Sequence, residues 1–141
     1  MVQGYQRRMI TTVLFFALFI AACNRESAKT NATSAILSAQ QSFELIQKNQ
    51  TNPDFMILDL RTPPEIAVGY LKNAIFLDFM VPGFSTKIAQ LDKSKSYLVY
   101  CQSGYRSEKT YALMRSEGFR NVYEMSGGFG RWFAAGLPFE K

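Results

Sequence analysis

The chemistry this sequence can support centres on one reactive side chain. The run Tyr97-Leu98-Val99-Tyr100-Cys101-Gln102-Ser103-Gly104-Tyr105-Arg106-Ser107 carries a thiol from an apolar stretch into a short polar loop, with a glycine at its middle and an arginine near its end. Glycine permits a tight turn there. Successive backbone N–H groups in such a turn can converge as an anion-binding nest, and the start of a following helix adds partial positive charge. Arg106 adds a full charge. All three favour the thiolate, which is the attacking form, so the spacing predicts a Cys101 pKa below that of a free cysteine. The alternative is an inert cysteine packed as a small hydrophobe at a strand end.

The chain contains no histidine. This removes the usual general base, the usual partner of a nucleophilic serine or cysteine, and the commonest metal ligand. Ser-His-Asp hydrolases, papain-like proteases and histidine-ligated zinc enzymes are excluded. Cys23 and Cys101 are the only two cysteines. They form no C-x-x-C pair, so neither a dithiol redox site nor a thiolate zinc cage can be built within one chain. No metal or cofactor is expected. A thiol–disulfide role would need a partner thiol from another molecule.

The 141 residues, 48% hydrophobic and 19% charged, suit one compact domain with some length to spare. Two of the five net positive charges reside in Arg7 and Arg8, and the balance is too mild to argue for nucleic acid. Ser34 is expected to cap a helix running to Asn49, with Ile36, Leu37, Phe43, Leu45 and Ile46 mostly on one face. Phe55 to Leu60 is a near-continuous apolar run of the kind found in a strand covered on both faces. Pro63 and Pro64 suit the first turn of a short helix through Val68. Ala74 to Leu77 reads as a strand, Ser85 to Leu91 as a helix, and Tyr97 to Tyr100 as a strand delivering Cys101 at its carboxyl end. Ser107 to Glu117 reads as a helix, Asn121 to Met125 as a strand, and Phe129 to Ala135 as a last helix. Alternating strands and helices with short connections predict an α/β fold, a small parallel sheet with helices on both faces. Ligands bind outside the carboxyl ends of such strands.

Three segments stand in order along this domain: Asp59-Leu60-Arg61-Thr62-Pro63-Pro64-Glu65, then Cys101 to Ser107, then Gly127-Gly128-Phe129-Gly130-Arg131-Trp132. In them the chain resembles the rhodanese family, over nearly all of Ser34 to Pro138. The first is similar to that family's strand-end D-x-R with an acid four residues later, followed by Gly69 and Ala74. The second is similar to its six-residue active-site loop, and the third to its G-G-x-x-x-W closing motif. The resemblance implies a single-domain sulfurtransferase in which Cys101 accepts a sulfane sulfur as a persulfide and passes it to a second nucleophile. It also implies that the backbone N–H groups of Gln102, Ser103, Gly104, Tyr105 and Arg106 cradle the persulfide, with Asp59, Arg61, Glu65 and Arg106 as polar scaffolding. Donors would be thiosulfate or a persulfide, and acceptors cyanide or a thiol. The plain structural reading of Asp59 and Arg61 is an ion pair at the strand end, and that of Trp132 is core packing. The sequence departs from the family at Gly69-Tyr70-Leu71, where Gly-His-Ile is common. That histidine is not the nucleophile, so its loss touches local loop contacts rather than sulfur transfer.

Two other readings compete. Phosphatases and arsenate reductases of this fold place five residues between cysteine and arginine, whereas Gln102, Ser103, Gly104 and Tyr105 make four, a smaller ring that suits one sulfur atom. A non-catalytic lipoprotein that binds or senses sulfur is the other, and the joint presence of Cys101, Gly104 and Arg106 speaks against it.

The first residues read as an address. Arg7 and Arg8 precede an apolar run from Met9 to Ala22, shorter than the roughly 20 residues a bilayer core needs, that ends in small residues. Residues 1–22 are therefore expected to be a signal peptide. Ile20-Ala21-Ala22-Cys23 is similar to a bacterial lipobox, which implies lipidation of Cys23, an exported, membrane-anchored protein of the cell envelope, and a flexible tether over residues 23–33. Asn24 after the cysteine favours the outer membrane in a Gram-negative source. The domain is expected over residues 34–141.

Overall fold

A computed structural model describes residues 33–141. The signal peptide, the lipidation site Cys23 and the tether up to residue 32 lie outside the described residues.

The elements are β1 (Ala35–Leu37), α1 (Ala39–Lys48), β2 (Phe55–Asp59), α2 (Pro63–Ile66), β3 (Ala74–Phe76), α3 (Phe84–Ala89), β4 (Ser96–Tyr100), α4 (Tyr105–Ser116), β5 (Asn121–Met125) and α5 (Gly128–Ala134). Five strands form one parallel sheet in the order β1-β5-β4-β2-β3. The expected α/β architecture is thus observed, with β4 at the centre of the sheet. Successive residues of a strand point to opposite faces, and the core divides accordingly. Ile57, Leu98, Tyr100 and Met125 pack with Phe129 and Trp132 of α5 and Ala39 of α1. Leu58, Val99, Cys101 and Val122 pack with Ile88 of α3 and Met114 of α4. Trp132 is buried, its ring edge-on to Phe43 and its indole N–H donating to the Pro138 carbonyl.

The first helix begins later than its apolar spacing suggests. Ser34 caps nothing: its hydroxyl donates to the Arg120 carbonyl and accepts the Val122 N–H, which fixes the start of β1 beside β5. Ser38 is the cap, in a reciprocal capping box with Gln41, an arrangement worth about 0.5–2 kcal/mol. The pair Ile36-Leu37 satisfies strand and helix patterns equally over so short a run. Pairing with the open edge of β5 decides between them.

Beyond the sheet's central strand, α4 starts two residues earlier than the sequence suggests. Gly104, at φ 99°, is its N-cap, which places Arg106 within the first helical turn and brings the helix N-terminus onto the cysteine loop.

Candidate active site

Cys101 follows β4 directly and is fully buried. Its Sγ accepts the Gly104 N–H at 3.2 Å and lies 3.6 Å from the Ser107 hydroxyl. Burial pushes the thiol up, but donors converging from the Ser107 backbone and hydroxyl and from the N–H groups of Ser103 and Gly104 outweigh it and hold the thiol below its usual range. The loop is therefore a polarised cradle closed around one sulfur atom.

The cradle is held in place from two sides. On one side, Gly127 and Gly128 let the start of α5 approach so closely that the Phe129 N–H donates to the Cys101 carbonyl at 2.7 Å and the Gly130 N–H to the Gln102 carbonyl at 3.0 Å. A Cβ on Gly128 would stand 2.2 Å from the Cys101 carbonyl oxygen, which gives the paired glycines a physical reason. On the other side, Glu65 of α2 grips Arg106 with two charge-assisted hydrogen bonds of 2.9 and 2.6 Å. Glu65 is also the third residue of α2, bonded to the backbone and hydroxyl of Thr62. Arg106 foremost, against some cost of burial and with help from Thr62, lowers the Glu65 carboxyl to about 2. The Arg106 guanidinium, raised chiefly by Glu65, also interacts with Cys101. Tyr105 is exposed, with the Lys109 ammonium over its ring.

Asp59 and Arg61 form a wholly buried ion pair. Asp59 receives the Arg61 backbone N–H, its Nε and Nη2, and the Tyr100 hydroxyl at 2.6 Å. Arg61 also donates to the carbonyls of Glu65 and Gly69, and its guanidinium lies 4.1 Å from the centre of the Phe129 ring. These contacts brace the ends of β2 and β4, α2 and α5 against one another. They run to Tyr100, Glu65, Gly69 and Phe129 rather than to Cys101. Tyr70, at the departure from the family pattern, pairs by backbone with Glu140 and sets its ring edge-on to Phe76.

The structure adds Ser107 and Glu124 to the residues singled out from sequence. Glu124 of β5 is buried, and its Oε1 lies 2.6 Å from Ser107 Oγ, directly behind the cysteine. Burial pushes its carboxyl up, partly offset by the Ser107 hydrogen bond, with repulsion from Glu108 adding to the rise. The one signal in the sequence is an acid among the apolar residues Val122, Tyr123 and Met125 at a position the sheet covers.

Beside the loop lies an open cleft of about 400 Å³ bounded by Pro64, Glu65, Val68, Gln102, Phe129 and Phe133. A larger groove of about 670 Å³ between α1 and the C-terminal segment touches none of the loop residues.

A parallel α/β sheet presenting a cysteine at the carboxyl end of its central strand, inside a loop whose N–H groups close on the sulfur, defines a class of cysteine-loop domains. Residues 42–135 match the rhodanese-like domain model, and the chain belongs to that family. It is 32% identical over 98 residues to a protein named sulfurtransferase from Allochromatium vinosum, covering 69% of this chain and 89% of that one. A tRNA uridine(34) hydroxylase from Cytophaga hutchinsonii is 40% identical over 78 residues, 53% of this chain and only 25% of the hydroxylase. The crystal structure of a rhodanese-related protein from Thermoplasma volcanium superposes with a TM-score of 0.63 at 25% identity, over 74% of this chain and 96% of that one.

Proposed function

We propose that this protein is a sulfurtransferase that moves a sulfane sulfur from thiosulfate or a persulfide to a thiophilic acceptor through a persulfide on Cys101. The observation that carries this reading is the buried Cys101 sulfur at the focus of N–H and O–H donors from its own loop. The thiolate attacks the outer sulfur of the donor. A new S–S bond forms on Cys101 as the donor's S–S bond breaks, and sulfite or a thiolate leaves with the electron pair. Cyanide or a thiolate then attacks the terminal sulfur, releasing thiocyanate or a new persulfide and restoring the Cys101 thiolate. The N–H groups that stabilise the thiolate stand ready for the persulfide anion. Glu65 neutralises the loop's one cation, Arg106, so the cradle selects weakly for a dianion, and persulfide donors fit it at least as well as thiosulfate.

The test is the intact mass of the purified full chain after donor treatment. Gain of one sulfur atom, lost on adding cyanide and absent from Cys101→Ser, is the expected result. A gain that survives Cys101→Ser, or none with thiosulfate, polysulfide and glutathione persulfide alike, would falsify the proposal. Hydrolysis of an aryl phosphate by the same preparation would point to a phosphatase instead.

The same proposal puts the protein in the cell envelope, exported and held to a membrane by lipid on Cys23, with the outer membrane favoured by Asn24 in a Gram-negative source. The residues behind that reading are Arg7, Arg8, the apolar run to Ala22 and the four-residue lipobox likeness.

A further inference from the structure

Ser107 has one hydroxyl proton and three acceptors within reach: Glu124 Oε1 at 2.6 Å, the Gly104 carbonyl at 2.9 Å and Cys101 Sγ at 3.6 Å. Glu124 is buried behind it, and the sulfur-transfer steps above give it no task. A buried carboxylate and a buried thiolate bridged by one hydroxyl cannot both be charged without strong repulsion. They can share a proton.

Resting on the reading of Cys101 as the nucleophile, we infer that Glu124, acting through Ser107, is the group that takes the Cys101 proton. With Glu124 ionised, Ser107 donates to the carboxylate and turns its oxygen lone pairs toward the thiol. Transfer then moves two protons one step each. The Cys101 S–H bond breaks as its proton joins Ser107 Oγ, and the former serine proton leaves Oγ for Glu124. The serine ends unchanged, the carboxyl O–H now donates to it, and its own O–H points at the thiolate. The negative charge has moved from oxygen to sulfur, and no outside base is consumed. Glu124 is thus a positioning residue that also stores a proton, in a chain without histidine. Its surroundings suit that role. From α4 the neighbours bearing on its charge are Ser107 and Glu108, and Cys101, after the end of β4, meets it through the Ser107 hydroxyl. Its register partners, Ile36 on β1 and Val99 on β4, carry no charge, and the stem of Arg131, the one charged residue of α5, lies over Gly127.

The test is the pH profile of iodoacetamide alkylation at Cys101, followed on the peptide that contains it, so that it reads proton sharing whether or not sulfur transfer occurs. In the wild type, reactivity is expected to rise in two steps separated by a plateau, because two coupled groups lose their protons in turn. Glu124→Gln keeps a donor to Ser107 but cannot ionise, so its profile should rise in one step and reach full reactivity below the wild type's upper step. Ser107→Ala should lower reactivity at the plateau about tenfold, equivalent to one pKa unit. A single step in the wild type, or a Glu124→Gln profile that coincides with it, overturns the inference. An infrared difference spectrum of the unsubstituted protein gives an answer independent of how the variants fold. Alkylation removes the thiolate, and the protonated carboxyl band of Glu124 should convert to carboxylate. No change in that band also overturns the inference. Absence of sulfur uptake with a two-step profile would sink the transferase reading and leave the shared proton standing.

Discussion

Glu65 shows how one side chain ties stability to the site. Its pKa is lowered from 4.5 to about 2 by Arg106 first, with Thr62 adding. A depressed carboxyl contributes stability that is fully present above the unfolded pKa and is lost as pH falls through the folded one. The window is therefore pH 4.5 down to about 2, and after allowance for partial exposure the contribution is about 1–2 kcal/mol. Urea denaturation in that window should show the wild type losing this amount relative to its own value at pH 6. Glu65→Gln should show no such loss. The Asp59–Arg61 pair makes a contrasting case. Asp59→Ala leaves a buried guanidinium uncompensated, at a cost of about 3–5 kcal/mol. Since the contacts of the pair run away from Cys101, sulfur uptake per folded molecule should stay within about threefold of wild type. A collapse of uptake in well-folded protein would give Asp59 a direct role. Cys101, Gly104, Arg106 and Glu65 were legible in the sequence because each lies in a short motif with a chemical meaning. Glu124 was not, because only the register of β5 against β4 brings position 124 behind position 107.

At the level of elements, the periodic segments were legible and the edges were not. β5 has the bounds its pattern predicts, whereas β1 blends into the helical pattern that follows because three residues carry too little pattern to reveal a period. The start of α4 lies ahead of its apolar pattern because Gly104 enters a left-handed conformation that sequence alone does not announce. The junction of α5 with the cysteine loop offers the sharpest test. Gly128→Ala sets a Cβ 2.2 Å from the Cys101 carbonyl oxygen at φ 58°, so backbone rather than a flexible side chain must yield. The expected cost is about 2–4 kcal/mol, with sulfur uptake lowered at least tenfold because the displaced carbonyl belongs to the nucleophile itself. Gly136→Ala is the matched control. It has the same kind of φ, 67°, but open space around it, so it should cost only about 1–2 kcal/mol and leave uptake unchanged. Equal loss of uptake in both variants would mean that general stability, not loop placement, governs the reaction.

For the whole molecule, the question is how a low-pKa thiol works where the proposed lipid anchor would put it. Outside the cytoplasm such a thiol is open to sulfenic acid and mixed disulfides, and the described residues contain no second cysteine to resolve them. Enclosure is a partial answer, since Cys101 has no exposed surface, which hinders bulky thiols and disulfides from reaching it. The anchor has its own requirement. Among the described residues no helix is long and apolar enough to cross a membrane, so attachment as proposed depends on residues 1–22 and Cys23. The two ways of attaching differ in mass. If Cys23 is lipidated, protein extracted from bacterial membranes should begin at Cys23 and carry acyl chains, whose methylenes add about 0.8 kcal/mol each to membrane binding. Cys23→Ala should then retain residues 1–22 and gain no lipid. A wild-type mass equal to the full, unmodified chain would instead make the apolar run an uncleaved anchor and Cys23 incidental, leaving Cys101 and its cradle on the same side of the membrane by a different tether.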